Sequence, residues 1–200
     1  MPFKCTIYMY DGGNVNIFVL DEDVKKAAEF HCDKHVCKMI LEAGQMLCNA
    51  HWVSWLSELN KTRSSFRLVR EMKEFLRKEV PKDSQPPWSV VHLNHPCTVW
   101  TRESLSNYDW HHRLMGHLLD EYTVRYGKMH KSLSVWEWLE NPPPKLLDKG
   151  LTNFAICMPE DYKISTNAID CYREYYLKDK VRFAKWKYTQ EPHWWHKEKA

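Results

Sequence analysis

Between residues 31 and 59 the chain leaves a helix almost no face for water, and no other stretch restricts the fold as much. The segment opens with "HCDKHVCKMILEAGQ". Laid out at about 100° per residue, Val36, Met39, Ile40, Ala43, Met46 and Leu47 share one broad side. Cys37, Leu41, Gly44 and Cys48 cover most of the opposite side. A helix that is apolar nearly all round has to be buried nearly all round, so other helices must enclose it. One narrow sector remains. It carries His31, His35, Lys38, Glu42 and Gln45, with Lys34 at its edge. Such a polar line is either a hydrated seam or one wall of a site.

The remaining pattern is consistent with a helical bundle. In "CTIYMYDGGNVNIFVL" two β-rich runs flank Asp11, Gly12, Gly13 and Asn14, residues suited to a tight turn, which predicts an N-terminal hairpin. Asp21 or Asp23 caps a short helix before the long one. Residues 61–83 form a charged amphipathic helix with a thin stripe of Phe66, Val69, Met72, Phe75 and Leu76. Its Arg63, Arg67, Arg70, Lys73, Arg77 and Lys78 either face water or track phosphates. A helix over about 101–126 stops at Gly127 and bears a second polar line of Glu103, Asn107, Glu121 and Arg125. Shorter helices follow over 134–139 and 168–187. The expectation is a mainly α, single-domain bundle over 1–200, with residues 1–20 as a hairpin or extension and 61–85 as a charged insert.

Charge and motifs restrict function. With 29 basic against 26 acidic residues the formal charge is +3, mild support for a polyanionic partner. Seven cysteines, an odd number with no CxxC pair, suggest reduced thiols rather than a disulfide framework. No apolar run reaches membrane-spanning length, so a cytoplasmic protein without a membrane partner is expected. There is no P-loop, GxGxxG, GxSxG or kinase signature, and neither HExxH nor HxE with PCxxC. Those routes to nucleotide hydrolysis, acyl transfer and zinc catalysis are disfavoured, and no cofactor is called for.

Candidate site residues come from the two polar lines. Burial of Lys38, or of Lys34, would favour a neutral amine able to form an imine at a sugar C1′. Glu42 or Glu121 would act as acid/base or stabilise an oxocarbenium-like sugar, although Lys38 and Glu42 also suit a plain i,i+4 ion pair. If the lines face each other, Lys38, Glu42, Gln45, His95, Asn107, Glu121 and Arg125 share one cleft, with His35 beside it and Lys128 just past the helix end. On the last helix Tyr172, Tyr176 and Trp186 are core or a base-stacking platform, with Arg173 beside them as a phosphate contact. His31 and His35 are a weak metal pair.

"CDKHVCKMILEAGQMLCNAH", "HPCTVWTRESLSNYDW", "EYTVRYGKMHKS", "FAICMPEDYK" and "YREYYLKDKVRFAKW" together resemble a family of small proteins, mostly of unassigned activity, from tailed bacteriophages and related large viruses. The resemblance covers residues 16–195 except the charged segment near 61–85, where members are shorter. A fainter similarity, helical build and the "YxxYYxxxK" pattern of Tyr172, Tyr175, Tyr176 and Lys180, points to viral pyrimidine-dimer DNA glycosylases. Those enzymes use a processed N-terminal Thr amine; Met1 is followed by Pro2 here, so the nucleophile would differ. The resemblance implies a viral DNA- or nucleotide-processing enzyme, glycosylase/lyase-like or base-modifying, in an infected cell. Two alternatives stay open: a non-catalytic module binding nucleic acid or a host protein, and a small metalloenzyme built on His31 and His35. The oligomeric state is open.

Overall fold

The computed structural model describes residues 15–195, and among these the regular structure is helical, with no strand. The helices are α1 (Val24–Glu29), α2 (Asp33–Glu58), α3 (Val69–Glu79), α4 (Pro96–Thr101), α5 (Leu105–Tyr126), α6 (Leu133–Trp138) and α7 (Ala168–Lys178). None is long and apolar enough to cross a membrane. α2 packs along α5, α1 also lies on α5, and α4 crosses α2. Of the 26 residues of α2, 16 are buried, including Val36, Ile40, Met46 and Leu47, so the expected all-round burial is present.

The helix expected over 101–126 is broken. α4 ends at Thr101 with Arg102 as its C-cap, and Ser104 is extended (φ −146°) before α5 begins. The break is capped from a distance. The Asp148 carboxylate accepts from Ser104 Oγ, Ser106 N–H and Ser106 Oγ, satisfying one of the free amides at the start of α5. Those bonds hold the Asp148 carboxyl down at about 2. At the other end Gly127 takes φ +65°, where a side chain is strained.

Gly44 sits where α2 meets Trp88. A Cβ there would lie 2.5 Å from Trp88 Cζ3 and 3.2 Å from Met115 Cε. Trp88 is tethered, because its carbonyl accepts from Trp52 Nε1 at 2.7 Å. Gly44→Ala should therefore destabilise by about 1–2 kcal/mol, overpacking outweighing the gain of roughly 1 kcal/mol in helix propensity. Urea denaturation checks this; equal or greater stability would mean that the Trp88 ring swings away freely.

The charged insert builds its own small core. Met72, Leu76 and Val80 pack on Trp52, Leu56, Val90 and Leu93, with Phe66 and Phe75 against them. The regular helix is shorter than the 61–83 expectation, and Val69 is exposed. Arg67, Arg70, Arg77 and Lys78 face water, whereas Arg63 and Lys73 turn toward the 90–95 loop.

The hairpin expectation needs correction. Its first run and turn lie outside the described residues. Its second run, 15–20, forms no ladder and instead threads through the main core, with Val15, Ile17, Phe18, Val19 and Leu20 all buried. An apolar run without alternation can be covered on every side, and here helices and the C-terminal segments cover it.

Candidate functional site

Asn16 is the polar residue in that buried run, and four parts of the chain converge on it. Its N–H donates to Glu42 Oε2 from α2 at 2.9 Å, and its Nδ2 donates to the Cys157 carbonyl at 2.7 Å. Its Oδ1 accepts from the Tyr172 hydroxyl of α7 at 2.7 Å, and the Cys97 thiol of α4 lies 3.5 Å away. Cys157 N–H donates back to the Tyr172 oxygen at 3.2 Å.

Glu42 is 7% exposed, and burial pushes its carboxyl pKa up, with Lys38 and the Asn16 N–H pulling the other way. Lys38 Nζ stands 3.1 Å from Glu42 Oε1, yet the lysine side chain is 47% exposed. The desolvation expected of Lys38 is thus absent. Lys34 is exposed too, its ammonium 5.1 Å from the centre of the Phe183 ring. The enclosed lysine is Lys180, 3.0 Å from Tyr175 Oη and 2.9 Å from Asp179, contacts that raise its pKa and keep it charged despite burial.

Beside Asn16 the two thiols interact directly. Their mutual hydrogen bond draws the Cys157 thiol pKa down and the Cys97 thiol pKa up. One His95 ring nitrogen and the two sulfurs all lie within 4.8 Å of one another. His95 caps α4, its Nδ1 accepting from Cys97 N–H at 3.3 Å, and burial lowers the imidazole pKa.

His95 also lines an open groove of about 540 Å³, together with Arg63, Lys73, residues 90–94 and Val69. The lining has no acidic side chain. Asn49 of α2 anchors this loop by bonding to both Val91 O and Val91 N–H, and His92 turns it with a left-handed φ of 49°.

Other expected site residues are committed elsewhere. Arg125 is fully enclosed and uses all five N–H donors: on Glu121 twice, on Asp33 Oδ1, and on the carbonyls of His31 and Glu29. It clamps the α1–α2 corner and has no donor left for a phosphate; Glu121 is its counter-ion. Asn107 is spent on Trp100 O and on both the amide and hydroxyl of Thr152. The two polar lines therefore do not share a cleft as expected. His35 is closed off by the Tyr176 hydroxyl and a stacked Phe18 ring, and His31 donates Nδ1–H to Ala27 O. The His31/His35 pair gains no third metal ligand among the described residues.

Arg173 binds Leu20 O and Asp21, Trp186 Nε1 donates to Phe30 O, and Tyr172 and Tyr176 are fully buried, so this stripe is core rather than a stacking platform. Lys128 is exposed near Tyr122, and Gln45 is half-buried on α2. Glu42, Lys38 and His95 thus remain, joined by Asn16, Cys97 and Cys157, which sequence reasoning missed. The His95–Pro96–Cys97 spacing was the available local signal; Cys157, sixty residues on, offered none. No protein-family model, curated protein or solved structure significantly matches this chain.

Proposed function

We propose that the protein is a DNA- or nucleotide-processing enzyme, of viral origin as its resemblance implies, with Glu42 as the acid/base group. The observation that carries this reading is Glu42 itself: a buried carboxyl with a raised pKa, one oxygen fixed by a backbone N–H and the other by a half-exposed lysine. Perturbed carboxyls of this kind suit proton transfer near neutral pH. Concretely, base removal would pass the Glu42 proton to the departing base while water adds at C1′, and the carboxylate left behind would steady the cationic sugar. The proton released by the adding water returns to Glu42, and Lys38 balances the charge of the carboxylate in between. An exposed, ion-paired Lys38 is poorly suited to imine formation, so hydrolysis is favoured over a lyase reaction. The groove lined by Arg63, Lys73 and His92 supplies a phosphate rail.

Glu42→Gln keeps the shape and an acceptor for Asn16 N–H. It is expected to leave helicity and DNA binding intact and to lower turnover on UV-irradiated or base-modified DNA, or on nucleotides, by about 10²–10⁴-fold. Binding itself should weaken as salt rises. Turnover unaffected by Glu42→Gln would sink the assignment. Salt-sensitive binding without turnover on any of these substrates would instead favour a non-catalytic module using the same groove.

A further inference from the structure

We propose that His95, Cys97 and Cys157 bind one thiophilic divalent cation, zinc being the best fit, with water completing a four-coordinate shell. The site is distinct from the His31/His35 pair and does not depend on the role given to Glu42.

The ligand types come first. Two thiolates and one imidazole form a soft donor set that zinc accepts in tetrahedral geometry, and three protein ligands leave one position open. Bond lengths of about 2.0–2.3 Å put tetrahedral ligand atoms about 3.3–3.8 Å apart. The three atoms here already lie within 4.8 Å of one another, so at most about 1–1.5 Å of closure is needed.

The surroundings fit as well. Among the described residues this is the one group of three such side chains that comes together. The His95 ring is held within α4 by a long 3.3 Å contact from Cys97 N–H. Asn16 and Tyr172 hold the Cys157 backbone from both sides, the kind of outer support that fixes ligand direction. His95 lines the basic groove, so the open position lies at the edge of the space where an anionic substrate would run. Binding is a simple exchange: the cation enters, the thiol protons of Cys97 and Cys157 leave, and nothing is oxidised.

The test uses the full chain, purified under reducing conditions, stripped with chelator and titrated with cobalt(II). The expected result is one cobalt per chain, a thiolate-to-cobalt charge-transfer band, visible bands of tetrahedral intensity, and displacement of cobalt by equimolar zinc. Cys97→Ser with Cys157→Ser should abolish the charge-transfer band, and His95→Asn should weaken binding while leaving sulfur character. Cys171→Ser, whose hydroxyl can keep the bond to Ser165 O, should change nothing. The proposal fails if cobalt gives no charge-transfer band with the unaltered protein, a result independent of whether any variant folds. It fails equally if the band survives the double substitution. A Cys97–Cys157 disulfide that persists in reductant, found by thiol counting, would also overturn it.

Discussion

Replacing Arg125 with alanine should cost about 3–5 kcal/mol, because it strips the partner from buried charge at the α1–α2 corner. Glu121 and Asp33 would lose their counter-ion, and the carbonyls of His31 and Glu29 would lose their donors. For a domain whose whole stability is on the order of 5–15 kcal/mol, that is a large share. Arg125→Lys should recover little, since one ammonium cannot span acceptors on α1, α2 and α5 together. Urea denaturation of the three proteins reads the effect directly. A shift below about 1 kcal/mol, the range typical of exposed ion pairs, would show that the guanidinium is hydrated rather than enclosed.

Acid should unfold the protein over roughly pH 5.5 to 4.5, a range set by its buried imidazoles. Burial lowers His31 and His51 to about 4, His111 to about 3, and His35 well below its ordinary value. Each folded pKa lies below the unfolded one, so on acidification the unfolded chain takes up protons first. Stability is therefore full above about pH 6.5 and falls as pH drops, by about 1.4 kcal/mol per pH unit for each histidine. For His31 and His51 the loss levels off near pH 4, where the folded state protonates too. Glu42 acts in the opposite direction: its raised pKa lets the folded state take a proton first and gain stability in acid. Asp109, whose carboxyl pKa burial also raises, acts the same way, but two carboxyls oppose four imidazoles, so the net slope is set by the histidines. Helicity followed against pH, with reversal on neutralisation, is the measurement; a protein still fully folded at pH 4 would contradict it.

These two effects show which parts of the molecule were legible in the sequence. The apolar coverage of α2 reads directly from residue spacing, because it depends on neighbours within two turns. Arg125 was placed correctly on a polar line, but spacing cannot reveal that its acceptors are backbone carbonyls about ninety residues away. The break before α5 was hidden for the same reason, since its cap comes from Asp148 rather than from the preceding loop. The site followed this pattern. Glu42 and Lys38 stand out locally, whereas Asn16, Cys97 and Cys157 acquire meaning only when distant segments meet.

The buried run at 15–20 has a consequence for how the chain reaches its fold. Its closing partners are very late: Asn16 waits for Cys157 and Tyr172, and Leu20 for Arg173, across separations of 141 to 156 residues. During synthesis α2 can cover one side of this strip early, but the side that meets Cys157 and α7 stays open until those segments are made. Contacts of such range bring a high loop-closure cost and slow folding. The nascent chain would then carry a half-covered hydrophobic strip through most of its translation, so yield in the cell should depend on chaperone supply more than the stability of the finished protein would suggest.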